Sequence, residues 1–393
     1  MRISTVDALA ARRLGLAAPL DRAAVAAAQM ASLRETVAWA AARSPWYRER
    51  LAGLDPGSLR RPADLARLPL MSGADVSAQG QRMVCVPQGE VARIVTLQTS
   101  GSTGAPKRLH FTRDDLDGTV DFFLQGMLNL VDTSGSVLAL LPYAQPDSTG
   151  DLLIGALSGG GVRCAGLWPP APVEELAALI RREGHTCIVG LPQHLLALAG
   201  ALPVGLIRTM LLCSDYAPPA LRRRIEEACG CETFLHYGTT ETGLGGGVEC
   251  GAHDGCHVRE SDLLFEIVDP ATGETLPDGE VGEVVVTTLG RRAMPLLRYR
   301  TGDLARLDMR RCACGGVTAR LCDVAGRGGA CVLGGGFRLS SRELDDRLFE
   351  VDGLLDYRAT LEGGGGMDRL GIEFLAGPGH DRLARDMELA LRR

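Results

Sequence analysis

The sequence contains almost no lysine. Lys107 is the single lysine among 42 basic residues, and all the others are arginine. Aromatic residues are also scarce at 4%, and the formal net charge of −6 leaves no excess of positive charge. An acidic chain of this kind lacks the basic face through which many proteins bind nucleic acids. We therefore expect no nucleic-acid partner.

Long apolar runs are absent as well. No segment approaches the roughly 20 consecutive apolar residues of a membrane-spanning helix. The segment Met1 to Leu14 has no apolar core of the length found in signal peptides. These absences favour a cytoplasmic enzyme without a membrane partner. In that compartment we expect the 12 cysteines to be reduced thiols or metal ligands, because disulfide frameworks are typical of secreted proteins.

The pattern of apolar residues indicates an α/β fold. Hydrophobic residues make up 46% of the 393 residues, which is enough for a sizeable core. Ala23 to Arg43 has apolar residues at helical spacing and ends at Ser44-Pro45. Beyond residue 90, short apolar runs alternate with helical stretches, which predicts a layered α/β architecture. The runs expected as strands are Ser136 to Leu141, Leu152 to Leu157, Thr186 to Gly190, Leu206 to Cys213 and Glu280 to Leu289.

The glycine-rich segment that begins at Gly326-Arg327 predicts a hinge. It would divide the chain into a large N-terminal domain, residues 1–325, and a small α+β C-terminal lobe, residues 326–393. Within the lobe the pattern predicts one helix over Ser341 to Phe349 and a short amphipathic helix in the tail, Asp381 to Arg393.

The single lysine follows a loop of small hydroxyl residues and glycines. The loop residues are Thr99, Ser100, Gly101, Ser102, Thr103 and Gly104. Backbone N–H groups and hydroxyls in such a loop can surround a polyphosphate, with Lys107 as a point charge at its rim. The spacing is not that of a Walker loop. On composition alone, a flexible surface loop is the alternative.

Two later segments carry further polar chemistry. His236-Tyr237-Gly238-Thr239-Thr240-Glu241 combines an aromatic ring, a turn glycine, two hydroxyls and a carboxylate that can hold Mg²⁺. Leu297 to Asp303 ends in a carboxylate suited to accept both hydroxyls of a ribose. Arg327 adds a bidentate partner for a phosphate or a ribose. Each segment alone could be an ordinary turn.

In this order the segments resemble the adenylate-forming superfamily, which includes acyl-coenzyme A synthetases, luciferases and nonribosomal adenylation domains. The leader Ser44 to Glu49, the segment Pro62 to Pro69 and the segment Ala293 to Asp303 are most similar to the phenylacetate-coenzyme A ligase branch. The resemblance implies the adenylate-forming fold, with ATP and Mg²⁺ bound by the large domain. It also implies ATP-dependent activation of a carboxylic acid, an aryl or small acyl acid, to an acyl-adenylate with release of pyrophosphate, and transfer of the acyl group to coenzyme A.

The resemblance also assigns roles to single residues. The loop Thr99 to Lys107 would cradle the pyrophosphate end of ATP, and Thr240 would lie near the α-phosphate. Glu241 would hold Mg²⁺, Tyr237 would lie near the adenine, and Asp303 would take the ribose hydroxyls. Lys107, Thr240, Glu241 and Arg327 are the expected catalytic set. The expected nucleotide site adds Ser214-Asp215-Tyr216, which replaces the Gly/Ala-Glu-rich adenine turn of relatives, and His236, Gly238 and Thr239.

The cysteines suggest a zinc site. Thiolates and an imidazole are the usual ligands of a closed tetrahedral zinc centre. The phenylacetate-coenzyme A ligase branch often has such a pattern around a structural zinc, which favours Cys250, His257, Cys312 and Cys314 as ligands. His253 and Cys256 are possible substitutes. The alternative is that these thiols have no metal.

The chain departs from the family pattern in its C-terminal lobe. Catalytic members usually have a lysine near the C-terminus, whereas here Lys107 is the only lysine. One alternative is an enzyme that adenylates slowly or uses an arginine such as Arg369 in place of the lysine. The other is a protein that adenylates without thioester formation or only binds a nucleotide or acyl-adenylate. The retained Lys107, Glu241 and Asp303 favour ATP binding. The expected partners are therefore a small carboxylic acid, ATP and coenzyme A, and a homodimer is possible.

Overall fold

The computed structural model describes residues 3–97, 106–326, 330–332, 338–364, 367–377, 379–380 and 382–392. Four helices open the chain: α1 (Thr5–Leu14), α2 (Arg22–Arg43), α3 (Pro45–Arg50) and α4 (Gly73–Met83). Short 3-10 turns lie between α3 and α4, at Pro56–Ser58 and Pro62–Arg67, and after α4, at Gln88–Glu90. The helix predicted over Ala23 to Arg43 is confirmed.

Local sequence explains where these helices begin and end. The Asp21 side chain accepts a hydrogen bond from the N–H of Ala24 at the start of α2. Ser44 ends α2 and caps α3, whose first residue is Pro45, a position where proline loses no helical hydrogen bond. At α4, Ser72 and Asp75 form a capping box.

The centre of the molecule is an eleven-stranded sheet, and one half of it is parallel. Its strands are β3 (Ser136–Ala139), β4 (Arg163–Gly166), β5 (Cys187–Gly190), β6 (Thr209–Leu212) and β7 (Glu232–Tyr237). The crossover helices are α6 (Thr149–Gly159), α7 (Val173–Glu183), α8 (Pro192–Ala199) and α9 (Pro219–Cys229). Strands fully buried between helices are expected to be short, continuous apolar runs, as β3, β5 and β6 are.

One expected strand is wrong. Leu152 to Leu157 lies inside α6 rather than in the sheet. The buried positions of this run are Leu152, Leu153, Ala156 and Leu157, which is the spacing of one helical face. A short apolar run does not by itself distinguish a buried strand from a buried helix, so the tertiary packing decides.

The other half of the sheet is antiparallel. It contains β8 (Gly247–Glu249), β9 (Cys256–Val258), β10 (Leu263–Val268), β11 (Val281–Thr288), β12 (Tyr299–Asp308) and β13 (Arg320–Cys322). The strand expected over Glu280 to Leu289 is confirmed as β11. A separate hairpin, β1 (Arg93–Leu97) and β2 (Lys107–Phe111), precedes helix α5 (Arg113–Met127). The resulting architecture is the mixed α/β fold that the sequence predicts.

The C-terminal segment consists of β14 (Ala330–Val332), β15 (Arg338–Ser340), α10 (Ser341–Leu348), β16 (Leu354–Gly364), β17 (Met367–Ala376) and α11 (Leu383–Leu391). Buried side chains of α10 and α11, among them Leu344, Leu348 and Met387, belong to one apolar cluster with residues of α8 and α9. Both predicted helices of this segment are present. The domain boundary at Gly326-Arg327 remains a prediction, because Arg327 lies outside the described residues.

Among the described helices, none is both long enough and apolar enough to cross a membrane.

Candidate functional site

A large cavity opens at the carboxyl ends of the parallel strands. Its volume is about 1240 Å³. The residues that follow the strand ends line it: Leu141 after β3, Leu191 after β5, Ser214 after β6 and Gly238 after β7. Open α/β sheets bind ligands at this edge, because the connections diverge there and leave a crevice. The position of the cavity therefore follows from the strand order.

Lys107 and Glu241 meet beside this cavity. The Lys107 Nζ atom donates to Oε1 of Glu241 at 2.5 Å, and the Tyr299 hydroxyl donates to the same oxygen at 2.8 Å. Lys107 also lies 3.1 Å from the Tyr299 hydroxyl. The elements that hold these side chains are β2, the turn after β7 and β12. Lys107 and Glu241, two of the three charged residues that the sequence assigns to the catalytic set, are thus in direct contact.

Both members of this ion pair are buried. Lys107 is 7% exposed and Glu241 is 3% exposed. Burial tends to raise the pKa of the Glu241 carboxyl, but the charge of Lys107 and its hydrogen bond outweigh that effect, so the pKa lies below its usual value. Glu241 is therefore an ionised carboxylate at neutral pH. It is a suitable oxygen ligand for Mg²⁺.

Tyr237 and Asp303 form a second contact across the site. The Tyr237 hydroxyl donates to Oδ2 of Asp303 at 2.9 Å, and both residues line the cavity. Burial and the neighbouring Asp303 raise the pKa of Tyr237 well above its usual value, so the phenol remains a donor. This contact links the end of β7 to β12. It holds one oxygen of Asp303 in a defined position at the cavity wall.

The predicted adenine turn also reaches the cavity. Ser214, Asp215 and Tyr216 all line it, as do Gly238, Thr239 and Thr240. Ser214 has a positive φ of 71°, an uncommon conformation for a residue with a side chain. Asp215 accepts a hydrogen bond from the Gln193 side chain at 3.0 Å. The turn follows β6 at the carboxyl edge of the sheet, and its role as the adenine turn stays a prediction.

Two parts of the expected nucleotide site lie outside the described residues. These are Thr99 to Gly104 of the phosphate loop, and Arg327. The residues that flank the loop are described, and Leu97 pairs with Lys107 in the β1–β2 hairpin. Leu97 itself lines the cavity. The hairpin therefore brings both flanks of residues 98–106 to the Lys107–Glu241 pair.

Sequence reasoning missed the apolar end of the cavity. Its lining includes Phe122, Phe123 and Met127 of α5, Leu244 and Val248. Gly245 allows the close approach of this wall, because a Cβ there would lie 2.5 Å from Cδ1 of Phe122. The sequence signals were the Phe122-Phe123 pair and the small residues of Gly243 to Gly247. Neither signal identifies which cavity these residues face.

The four expected zinc ligands come together. Ligand atoms of Cys250, His257, Cys312 and Cys314 all lie within 4.8 Å of one another, and all four residues are buried. The Sγ atoms of Cys250 and Cys312 are 3.8 Å apart, and Sγ of Cys314 lies 3.5 Å from Nε2 of His257. Three thiols and one imidazole form a donor set suited to tetrahedral zinc.

The two alternative ligands have other partners. His253 bonds Glu232 at 2.8 Å, and the thiol of Cys256 donates to the Leu235 carbonyl at 3.5 Å. Sequence reasoning missed the residues that orient His257. Its Nδ1 atom lies 2.8 Å from the Thr318 hydroxyl, which in turn donates to Asp7 of α1 at 2.6 Å. Such outer contacts fix the tautomer and orientation of a metal-binding imidazole.

The C-terminal segment contributes residues to the cavity wall. Arg342 and Asp345 of α10 and Tyr357 of β16 line it. The Arg342 guanidinium lies 5.3 Å from the ring centroid of Tyr216, whose hydroxyl donates to Asp346 at 2.8 Å. Arg369, proposed from sequence as a replacement for the missing lysine, is exposed on β17 and is not among the described residues that line the cavity.

Comparison with known proteins identifies the family of the chain. Residues 64–290 match the AMP-binding enzyme family. A phenylacetate-coenzyme A ligase of Thermus thermophilus is 33% identical over 326 residues, which cover 78% of this chain and 71% of that protein. A phenylacetate-coenzyme A ligase of Escherichia coli is 31% identical over 307 residues, with 74% and 69% covered.

A solved structure of 2-hydroxyisobutyryl-CoA ligase in the postadenylation state, in complex with 2-HIB-AMP, has the same fold. Its TM-score is 0.79 at 20% identity, and the match covers 93% of this chain and 83% of that one. The sequence matches extend over most of the chain and include the turn of Glu241. The chain belongs to the AMP-binding enzyme family, in the branch that resembles the phenylacetate-coenzyme A ligases.

Proposed function

We propose that the protein is an AMP-forming acid–thiol ligase. In the first step the carboxylate oxygen of an acid attacks the α-phosphorus of ATP, and the bond to pyrophosphate breaks. In the second step the thiol of coenzyme A attacks the acyl carbon, and AMP leaves. The products are acyl-coenzyme A, AMP and pyrophosphate.

The contact between Lys107 and Glu241 at the cavity is the observation that carries this proposal. Both steps develop negative charge on phosphate oxygens, and the protein accelerates them chiefly by positioning and by charge neutralisation. Lys107 follows the predicted phosphate loop in the sequence and forms an ion pair with Glu241. Its ion pair with Glu241 holds the ammonium in place before a nucleotide arrives, which reduces the reorganisation needed during the reaction.

The residues present fit a Mg²⁺ ion. Glu241 supplies an ionised carboxylate oxygen, the ligand type that Mg²⁺ prefers. When bound, the ion would neutralise charge on the ATP phosphates. Lys107 and Tyr299 would orient the carboxylate through their contacts with Oε1. Asp303 and Tyr237 would hold the ribose side of the nucleotide, and the turn Ser214 to Tyr216 would face the adenine.

We propose in addition that Cys250, His257, Cys312 and Cys314 hold a structural zinc. The site lies on β9 and the connections that flank the antiparallel strands, and the ligands are buried, so the metal would hold these connections together. The eleven described cysteines are all free, which supports a reducing compartment and hence a cytoplasmic location. We also propose a homodimer, which a measurement of molecular mass in solution would test.

The test is pyrophosphate release from ATP and Mg²⁺ with a panel of aromatic and short aliphatic acids, with and without coenzyme A. We expect acid-dependent pyrophosphate release, and formation of a thioester when coenzyme A is present. Lys107→Ala is the control for the site. Pyrophosphate release without any thioester would show that another acceptor is used. ATP binding without turnover on any acid would overturn the ligase proposal.

A further inference from the structure

The corner between α9 and β7 contains two cysteines. Cys229 is the last residue of α9, and Cys231 immediately precedes β7. Gly230 lies between them with a φ of 66°, a left-handed conformation that ends the helix and that glycine adopts without strain. Both cysteine side chains are buried in the apolar cluster that α9 shares with the C-terminal segment. The turn at Gly230 therefore directs two thiols to the same side of the chain.

The two sulfur atoms are in direct contact, with their Sγ atoms 3.2 Å apart. Because the S–S bond of a disulfide is about 2 Å long, the atoms need to approach by only about 1 Å to form one. Among the eleven cysteines whose side chains the structure describes, the only other hydrogen bond between thiols joins Cys250 and Cys312 of the proposed zinc site. In the described part of the chain no third metal ligand joins Cys229 and Cys231. The pair is thus a dithiol rather than a second closed metal site.

The dithiol lies directly beneath the surface. The residues that alternate with the two cysteines, Ala228, Gly230 and Glu232, are all exposed. Cys231 itself is 8% exposed. The last turn of a helix frays readily, and local opening of this kind costs far less than global unfolding. A small uncharged oxidant such as hydrogen peroxide can therefore reach the sulfur atoms while the rest of the chain stays folded.

The contact between the thiols also makes one of them more reactive. A hydrogen bond from the Cys231 thiol lowers the pKa of Cys229 below its usual value, although burial opposes this effect. The contact with Cys229, together with burial, raises the pKa of Cys231, so that this thiol keeps its proton. The thiolate is the nucleophilic form of cysteine. Cys229 is thus the attacking residue, and Cys231 is the second thiol that can complete a disulfide.

We propose that Cys229 and Cys231 are an oxidation site that reacts with a hydroperoxide to form a reversible disulfide. The site lies at the amino end of β7, whereas the cavity lies at the carboxyl ends of the parallel strands. The inference is therefore independent of the proposed ligase activity.

The reaction with hydrogen peroxide has two steps. The Cys229 thiolate attacks one oxygen, the O–O bond breaks, and the leaving oxygen takes up a proton to form water, which leaves Cys229 as a sulfenic acid. The sulfur of Cys231 then attacks the sulfur of Cys229, the S–O bond breaks, and the departing hydroxide leaves as water with the proton of Cys231. Two thiols are oxidised to one disulfide, and one peroxide is reduced to two waters. A dithiol reductant reverses the product by thiol–disulfide exchange.

The experiment follows one short peptide by mass spectrometry. Reduced wild-type protein is treated with a small molar excess of hydrogen peroxide, the remaining thiols are blocked with N-ethylmaleimide in urea, and the chain is cleaved after glutamate. Cleavage at Glu227 and Glu232 releases residues 228–232, which contain Cys229 and Cys231 and no other cysteine. We expect this peptide to lose two hydrogens and to carry no N-ethylmaleimide. Treatment with dithiothreitol before blocking should restore two alkylated thiols.

Two other cysteines are internal controls. The same cleavage places Cys85 and Cys164 in separate peptides, each without a second cysteine. Cys85 is buried and Cys164 is half-buried, and neither forms a hydrogen bond to another thiol in the described part of the chain. Both should still be alkylated at the peroxide dose that oxidises the pair. Far-UV circular dichroism before and after oxidation checks that the protein stays folded.

A pair of variants then tests the role of the second thiol. Cys231→Ser should form no disulfide in this peptide, whereas Cys85→Ser should form it as the wild type does. If Cys231→Ser does not fold, the wild-type peptide and its internal controls still decide the question.

Three results would overturn the inference. The first is a peptide with two alkylated thiols at every peroxide dose that leaves the protein folded. The second is a sulfinic acid on either cysteine without any disulfide, which would show that the neighbouring thiol does not complete the reaction. The third is a disulfide that forms only after the circular dichroism signal of the fold is lost.

Discussion

The ammonium of Lys107 contacts a carboxylate oxygen of Glu241, although the two residues are 134 positions apart in the chain. Lys107 begins β2, and Glu241 lies in the turn after β7, the strand that joins the parallel and antiparallel halves of the sheet. The only lysine of the protein is thus buried against an acidic residue of the candidate active site. Its removal should affect both catalysis and stability.

Lys107→Ala should lower the rate of pyrophosphate release by about 10²-fold or more, the usual effect of removing a group that stabilises developing charge. It should also lower the free energy of unfolding by about 3–5 kcal/mol, because Glu241 would remain as a buried charge without its partner. Urea denaturation and a pyrophosphate assay measure the two effects. The double variant Lys107→Met with Glu241→Gln should recover stability but not activity. Recovery of both would contradict a catalytic role.

Tyr237→Phe removes the donor to Asp303 without removing the ring. We expect the free energy of unfolding to fall by about 1 kcal/mol. We also expect KM for ATP to rise more than KM for coenzyme A, because Asp303 would lose its fixed orientation. Steady-state kinetics with each substrate varied in turn measure the two KM values. Tyr143→Phe, at a residue 39% exposed, is the matched control and should change neither.

Replacement of Cys314, a proposed zinc ligand, should destabilise part of the antiparallel sheet. We expect about one zinc per chain in the wild type, since the donor set is a closed tetrahedral one. Cys314→Ser should lose the metal and melt several degrees lower. Elemental analysis and thermal unfolding measure both quantities. Cys164→Ser, outside the cluster, is the control. A wild-type protein that is purified without metal and melts at the same temperature after zinc addition would refute the proposal.

Arg342 rather than Arg369 should support adenylation in place of the missing lysine. Arg342 lines the cavity beside Tyr216, whereas Arg369 is exposed on the C-terminal hairpin. Loss of a hydrogen bond to a charged group costs about 1.5–3 kcal/mol, so Arg342→Ala should lower kcat/KM for ATP about tenfold or more. Arg369→Ala should leave it unchanged. The opposite ranking of the two variants would favour the hypothesis drawn from sequence.

Asp345 should make the stability of the C-terminal segment depend on pH. Burial raises the pKa of Asp345 to about 6, and the carboxylates of Asp215, Asp346 and Asp356 add to the effect, while the hydrogen bond from Tyr357 opposes it. A carboxyl whose pKa is raised by folding favours the folded state most when it is protonated. Its stabilising contribution is therefore complete below about pH 4 and is lost as the pH rises through 6.

The measurement is the free energy of unfolding of the wild type minus that of Asp345→Asn. This difference should fall by up to about 3 kcal/mol between pH 4 and 7, at ~1.4 kcal/mol per unit of pKa. Groups elsewhere titrate in both proteins and cancel. A difference that stays constant across this range would show that Asp345 titrates normally.

Much of the site could be predicted because its residues lie in contiguous segments. His236 to Glu241 form one contiguous segment, and Asp303 belongs to another. The functional side chains of each segment are therefore recognisable from its own sequence. The helix ends at Asp21, Ser44 and Ser340 are likewise local, because capping involves residues within one turn. The pattern of cysteines and histidine also predicts the four residues of the proposed zinc site, because the resemblance to the branch indicates which distant segments come together.

The remaining features depend on packing between distant segments. Leu152 to Leu157 forms a helix rather than a strand because the neighbouring layers bury one helical face of it. Asp7 orients His257 from the first helix of the chain, and Arg342 reaches the cavity through the contacts of α10 with α9 and the turn at Tyr216. The spacing of apolar residues along the sequence does not predict such contacts between distant segments.

By itself the sequence determined the α/β class and the branch of the family, and it predicted Lys107, Glu241 and the four residues of the thiol–imidazole cluster as site residues. Only the tertiary structure decided which residues line the apolar end of the cavity and that Asp7 orients His257 through the Thr318 hydroxyl. The local sequence pattern specifies which side chains are polar and to which helix or strand each of them belongs. Whether a polar group is satisfied depends on atoms contributed by every element around it, and these are brought together only when the chain folds.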